Sequence, residues 1–248
     1  MKTLINFFLN YFWVILFCSI VLGLSWKRFR KSEIFLYLNI YLFPKNAQSH
    51  FNLGHFLFTK NKQLERAEKE LRQAIALDSQ NDNSFLVLAY IFHANGKYSE
   101  AIDNYQQVIK LNPHNENAYL NIGLLFHEKL NRFDEAEQAY RHAIELNPKE
   151  PENHFQLGWL LCDRLHRYAE AEAMFVKTLE LNPQDETALY DLACIKSINR
   201  DSGLAFDYLR RAIEKGFDRD WAWNDKDLEW LHNDSRFKEI VGSRPKKD

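Results

Sequence analysis

The sequence predicts an all-α fold in which pairs of helices stack in a row as a solenoid, preceded by one membrane-spanning helix. Small residues and short motifs recur at a spacing of 34 or 35 residues, and each period contains two amphipathic stretches, which predicts the solenoid. The membrane helix is predicted because residues 3–26 carry no charged side chain.

The composition indicates a folded protein without a nucleic-acid role. Of the 248 residues, 46% are hydrophobic and 27% are charged, which is the balance of a globular chain. The net charge of −2 gives no reason to expect a nucleic acid as partner. Cys18, Cys162 and Cys194 are too few for a disulfide framework, and no two of them have CxxC spacing.

The uncharged amino-terminal stretch predicts a membrane anchor at residues 1–31. Its 24 residues would extend about 36 Å as a helix, whereas a hydrocarbon core is about 30 Å thick. Cations follow it at once, at Lys27, Arg28, Arg30 and Lys31, and such a flank favours the cytoplasmic side. We therefore expect a single-pass protein of a bacterial inner membrane with its repeats in the cytoplasm. The alternative, a cleaved signal peptide, lacks an A-x-A-like site.

Three sets of positions recur in register through the rest of the chain. Leu-Asn-Pro occurs at 111–113, 146–148 and 181–183. One set of small residues is Gly54, Ala89, Gly123, Gly158 and Ala193, and a second is Ala67, Ala101, Ala136, Ala171 and Ala205. Two helices approach closely only where a side chain is nearly absent, so these positions predict helix contacts. Because neither helix of a period buries its apolar stripe alone, the periods must stack.

The best-formed period places Tyr119, Ile122, Gly123 and Phe126 on a first helix and Ala136, Tyr140, Ala143 and Pro148 on and after a second. This pattern resembles the tetratricopeptide repeat, which implies a right-handed α-solenoid. The repeats are 47–81, 82–115, 116–150, 151–185 and 186–219. The first, third and fourth carry one extra residue, which we expect in the turn between the two helices.

Both ends of the repeat region depart from the pattern. Residues 32–46 match only a second helix, so we interpret them as a half-repeat. Residues 220–248 follow the last repeat and resemble a tail found in many bacterial proteins of this family. We expect this segment to cap the last repeat with Trp221, Trp223, Leu228, Trp230, Leu231 and Phe237.

The resemblance implies a partner-binding groove lined by the outer positions of the first helices. Rings, amides and imidazoles at these positions suit a peptide or a helix of a partner protein. The groove residues are Phe51, Asn52, His55, Tyr90, His93, Asn121, Leu124, His127, Phe155, Gln156, Trp159, Asp163 and Tyr190. Self-association through the same groove is a further possibility. A clamp for a terminal carboxylate is not expected, because Phe51, Leu120 and Phe155 replace the required cations.

Neither a metal nor a catalytic site is expected. His93, His127 and Cys162 share one repeat position, but neighbouring first helices lie about 9–10 Å apart, which is too far for one zinc ion. No phosphate loop, G-x-S-x-G or H-E-x-x-H motif is present, and no cofactor is predicted. The chain is therefore interpreted as a membrane-anchored scaffold that binds a partner protein. The alternative is a structural subunit of a membrane complex, assembled through Asn6, Asn10 and Ser19 of the membrane helix.

Overall fold

Capping residues determine where the first helix of each repeat begins. A computed structural model describes residues 33–60 and 63–243. In it Asn46, Asn81, Asn115 and Asp185 each accept a hydrogen bond from the N–H three residues further on, at distances between 2.9 and 3.2 Å. The fourth repeat begins instead with Pro151 at the start of the helix, where the missing N–H costs nothing.

The chain divides into two compact units, Met1–Pro113 and His114–Asp248. The described helices of the first unit pack in sequence as antiparallel neighbours. They are α1 (Glu33–Leu42), α2 (Ala47–Thr59), α3 (Leu64–Leu77), α4 (Asp82–Ala94) and α5 (Tyr98–Leu111).

The second unit contains the remaining repeats and the carboxy-terminal segment. Its helices are α6 (Glu116–Leu124), α7 (Phe133–Leu146), α8 (Pro151–Asp163), α9 (Tyr168–Leu181), α10 (Glu186–Ile198), α11 (Ser202–Lys215), α12 (Arg219–Asn224) and α13 (Ser235–Val241). A π-helical turn, Leu125–Lys129, continues α6, and a 3₁₀-helix, Lys226–Leu231, joins α12 to α13. Residues 33–60 and 63–243 contain no strand, so the prediction of an all-helical repeat fold is confirmed.

The described helices can be compared with the length and composition of a membrane-spanning helix. Among the described residues, none of the helices has the length and apolar composition that crossing a membrane requires. The anchor predicted at residues 1–31 lies outside the described part of the chain.

Glycine allows the two helices of a repeat to touch. A Cβ atom added at Gly123 would lie 2.6 Å from Cε1 of Tyr140, whose side chain is fully buried. At Gly158 the added atom would lie 3.0 Å from Cε1 of Phe175. The first helix of these repeats therefore has room for a hydrogen atom, but not for a methyl group, against the ring of the second helix.

Four turns between the two helices of a repeat contain a left-handed residue. It is Gly96, Asn131, His166 or Arg200, with φ between 52° and 72°. In repeats with one extra residue the turn closes by a hydrogen bond six residues back, as from the N–H of Arg132 to the carbonyl of Phe126. In the shorter repeats it closes five residues back, as from Lys97 to Phe92. The additional residue thus lies where the first helix ends.

The helix predicted to be a half-repeat makes a contact that recurs at the junction between the third and fourth repeats. The Pro44 carbonyl after α1 accepts a hydrogen bond from Nε2 of His50 at 3.1 Å. The Pro148 carbonyl after α7 accepts one from Nε2 of His154 at 3.0 Å. Helices α1 and α7 therefore share this contact with the helix that follows each of them, and the half-repeat assignment of α1 stays a prediction.

The carboxy-terminal segment packs on α10 and α11 and buries Trp223, Leu228, Leu231 and Phe237 in their core. Trp230 contributes to this contact, since it is 37% exposed and its Nε1 donates to Ser197 on α10. Trp221 differs from the expectation, because it is 64% exposed.

Candidate functional site

The second unit contains a cavity of about 720 Å³ between α8, α10 and the carboxy-terminal segment. We refer to it as the α8–α10 cavity. Its wall is largely aromatic and carries several carboxylates. The lining residues are Phe155, Gln156, Trp159, Cys162, Asp163, His166, Tyr168, Thr187, Tyr190, Asp191, Cys194, Phe217, Trp221, Asp225 and Asp227. Five of these, Phe155, Gln156, Trp159, Asp163 and Tyr190, are predicted groove residues, so the structure brings them together.

Asp225 connects the carboxy-terminal segment to α10. Its Oδ2 accepts a hydrogen bond from the Tyr190 hydroxyl at 2.6 Å and a weaker one from the Cys194 thiol at 3.7 Å. Its Oδ1 accepts from the N–H of Asp227 and so begins the 3₁₀-helix. The Tyr190 ring stacks on Phe217 with centroids 3.9 Å apart. One wall of the cavity is therefore held by hydrogen bonds and ring contact before any ligand arrives.

Asp191 is a partly buried acidic residue of the cavity with an unsatisfied oxygen. Its Oδ2 is buried and accepts no hydrogen bond from the described residues. Burial, and then the nearby carboxylates of Asp225, Asp185 and Asp163, raise the pKa of Asp191 to about 7. A carboxylate kept out of water without a partner is costly, and such groups concentrate at functional sites.

The two cysteines of the cavity are not reactive nucleophiles. Burial is the main cause that raises the pKa of the Cys162 thiol to about 12, and the pKa of Cys194 is also raised well above its ordinary value. Both thiols therefore stay protonated near neutral pH, whereas a nucleophilic cysteine needs a depressed pKa. Among the described residues, no group of three His, Cys, Asp or Glu side chains is arranged to hold a metal ion.

His127 differs from its predicted role as a groove residue. It is only 1% exposed and lies beneath Trp159, with ring centroids 4.6 Å apart. Phe133 and Tyr140 approach its ring edge to face. Burial lowers the pKa of His127, so it is a neutral core residue that supports Trp159 rather than an exposed contact.

Asn121, Leu124 and Gln156 are partly exposed on the first helices of the second unit. The amide of Asn121 donates to the Asn117 carbonyl at 2.6 Å within its own helix. The amide of Gln156 donates to Glu152 at 2.6 Å, while its Oε1 is buried and without a partner in the described structure. Of these three, only Gln156 lines the α8–α10 cavity.

The predicted residues of the first unit form ring contacts on α2 and α4. Phe51 stacks with His55 at 5.9 Å, and Tyr90 stacks with Phe58 at 6.5 Å. His93 meets the ring of Tyr98 at 6.2 Å. The exposed Asn52 accepts a hydrogen bond from Gln48. These residues form a surface of rings, and their role in partner binding stays a prediction.

Sequence reasoning missed part of the α8–α10 cavity, mainly because much of that part lies beyond the repeats. Trp221, Asp225 and Asp227 come from the segment interpreted as a cap, and Phe217 precedes it. The sequence did contain a usable signal. The segment is rich in aspartate, and a cap that only covers an apolar surface does not need charged side chains.

Comparison with protein families identifies the repeats. Models of the tetratricopeptide repeat match residues 47–81, 116–150 and 139–173, and a TPR repeat model matches residues 89–129. No curated protein shows a significant match to the sequence.

Solved structures show the same fold. YrrB, described as a TPR protein with an unusual peptide-binding site, is 23% identical with a TM-score of 0.61, over 73% of this chain and 92% of YrrB. PilF of Pseudomonas aeruginosa is 19% identical with a TM-score of 0.63, over 82% of this chain and 85% of PilF. PilW, a type IV pilus biogenesis factor, is 20% identical with a TM-score of 0.64, over 78% of this chain and 90% of PilW. At these identities the likeness shows the fold alone.

Proposed function

We infer that this tetratricopeptide-repeat protein is a protein–protein interaction scaffold. We propose that its α8–α10 cavity binds a segment of a partner protein and that residues 1–31 hold the protein at a membrane. The cavity is the observation that carries the proposal. Its volume of about 720 Å³ suits a few side chains of a bound segment. Its Trp and Tyr side chains are the types that dominate binding energy at protein interfaces.

The geometry of the cavity supports binding without large rearrangement. Tyr190 is fixed by Asp225 and Phe217, and Trp159 rests on His127. Side chains that are already ordered lose little entropy when a partner binds. YrrB, which has a similar fold, is described as having a peptide-binding site, and this likeness is in keeping with the proposal.

The membrane location is proposed from sequence. Residues 3–26 are uncharged and long enough to span a bilayer, and the cations of residues 27–31 favour a cytoplasmic repeat region. Alkaline phosphatase fused to the carboxy terminus should be inactive, since the enzyme needs an oxidising compartment. An active fusion would overturn the proposed orientation.

Trp221→Ala tests partner binding with little effect on the fold, because this ring lines the cavity but is 64% exposed. Tyr41→Ala is the control, since it removes a large ring that is 82% exposed on α1 and does not line the cavity. In crosslinking from native membranes, the wild type and Tyr41→Ala should capture the same partner, and Trp221→Ala should lose it. An identical set of proteins with all three would refute the cavity as the binding site and favour assembly through the membrane helix.

A further inference from the structure

The α8–α10 cavity has a strong bias of charge. Four carboxylates line it, from Asp163, Asp191, Asp225 and Asp227, and no lysine or arginine does. Two of these carboxylates have partners in the protein, because Asp163 pairs with Arg164 at 2.8 Å and Asp225 accepts from Tyr190. Of the four, only Asp163 is paired with a cation, because a hydrogen bond from the neutral Tyr190 hydroxyl leaves the charge of Asp225 in place.

Two hydrogen-bond acceptors in this wall lack donors. Oδ2 of Asp191 and Oε1 of Gln156 are both buried, and neither accepts a hydrogen bond from the described residues. The orientation of the Gln156 amide is fixed, because its nitrogen donates to the carboxylate of Glu152. An unsatisfied buried acceptor is destabilising, and a cation beside this wall would offset the negative potential that the acceptors leave there.

Aromatic rings stand beside these acceptors. Trp159 projects from α8 and Trp221 from α12, and both line the same cavity. The face of an indole ring attracts a cation, and it also covers the apolar stem of a long side chain. A wall of carboxylates and indole rings suits a side chain that is apolar along its length and cationic at its end.

We propose that the α8–α10 cavity receives a lysine or arginine side chain projecting from an otherwise apolar segment of the partner protein. The inference rests on the proposed function and specifies the chemistry of the ligand. The ammonium or guanidinium group would pair with the carboxylates of Asp191 and Asp227, while Trp159 and Trp221 contact the stem. The occupant is a different protein, selected by charge complementarity. A second copy of this chain, presenting residues 27–31, is the alternative occupant that the experiment distinguishes.

Peptide selection on the full chain in detergent tests this inference. A random 12-residue peptide library on phage is selected on the wild type and then on Trp221→Ala. Clones that bind the first and not the second should share a lysine or arginine flanked by apolar residues. The consensus peptide, labelled with a fluorophore, should then bind about tenfold more weakly to Asp191→Asn. Asp207→Asn, which removes the same charge from an exposed position on α11, should leave the affinity unchanged.

The pH dependence of the same peptide gives an independent reading. Binding should weaken about tenfold from pH 8 to pH 6 as Asp191 gains its proton, since its pKa lies near 7. This loss should be absent in Asp191→Asn. Other groups around the cavity contribute a background that both proteins share. They are Cys162, Asp163, His166, Tyr168, Asp185, Tyr190, Cys194, Asp225 and Asp227.

The outcomes separate this inference from the proposed function. Peptides that need Trp221 but carry no conserved cation, or that bind Asp191→Asn with unchanged affinity, would overturn the inference and leave the proposed function standing. A selection that enriches no peptide dependent on Trp221 would overturn both. A consensus matching residues 27–31 of this chain would overturn the commitment to a different partner and make the second copy the occupant.

Discussion

Replacing Asp191 by asparagine should stabilise the protein at alkaline pH. Burial raises the pKa of Asp191 from its ordinary value of 3.8 to about 7 in the folded chain. The folded state therefore holds a proton that the unfolded state has lost, so stability falls as the pH rises from about 4 to about 7 and then stays low. Asparagine has nearly the same shape and does not ionise, so the stability of Asp191→Asn should not fall with pH for this reason.

The magnitude follows from the two pKa values. At 1.36 kcal/mol per pKa unit, the charged carboxylate costs about 4 kcal/mol at pH 8 and about 2 kcal/mol at pH 5.5. Asp191 is only partly buried as a residue, and solvent at its accessible side screens the charge, so these figures are upper bounds. Asp191→Asn should recover a substantial part of each, and its advantage over the wild type should shrink by up to about 2 kcal/mol between pH 8 and pH 5.5.

Guanidinium denaturation followed by circular dichroism at both pH values measures this difference. Asp207→Asn is the control, because it changes the formal charge equally at an exposed position and should alter stability little at either pH. If Asp191→Asn is no more stable than the wild type at pH 8, or if its advantage does not depend on pH, then Asp191 is not a strained carboxylate. The argument that it awaits a cationic ligand would fail with that result.

Two further predictions concern the fold. Gly123→Ala places a methyl group 2.6 Å from the buried Tyr140 ring. Overpacking should cost about 3 kcal/mol and the higher helix propensity of alanine should return about 1 kcal/mol, so the free energy of unfolding should fall by about 2 kcal/mol. Gly203→Ala, whose Cβ would meet nothing closer than 3.5 Å, should be neutral or stabilising in the same thermal melt, and equal melting of the two variants would refute the close-contact argument. Ser197→Ala leaves the Asp227 carbonyl without its donor, while Nε1 of Trp230 keeps its hydrogen bond to the backbone carbonyl of residue 197. The substitution should therefore cost about 1–3 kcal/mol and make the carboxy-terminal segment more susceptible to protease. Proteolysis at the wild-type rate would contradict that role.

The helical repeats were predictable because their contacts recur. Gly123 and Tyr140 meet as the small-residue positions indicate, since a residue that must be small in every period marks a contact between helices. The turns were not predictable in the same way. Their left-handed residues include Gly96, His166 and Arg200, which share a backbone shape but no chemistry.

The candidate site was predictable only in part. Phe155 and Trp159 lie on repeat positions, and the period places such residues on the outer side of a first helix. The period does not give the depth of a side chain, so it could not show that Trp159 covers His127. Beyond residue 219 there is no period at all, and Trp221 and Asp225 became part of the cavity through a fold that only the packed structure reveals.

The carboxy-terminal segment has a consequence for assembly between molecules. In a stack of similar repeats, the surface at one end is complementary to the surface at the other end. Copies of such a chain could therefore join end to end and grow into open filaments. Here the surface of the last repeat that another repeat would occupy is taken by Trp223, Leu228 and Phe237 of the same chain. Any polymer built by stacking through this end would first have to displace them.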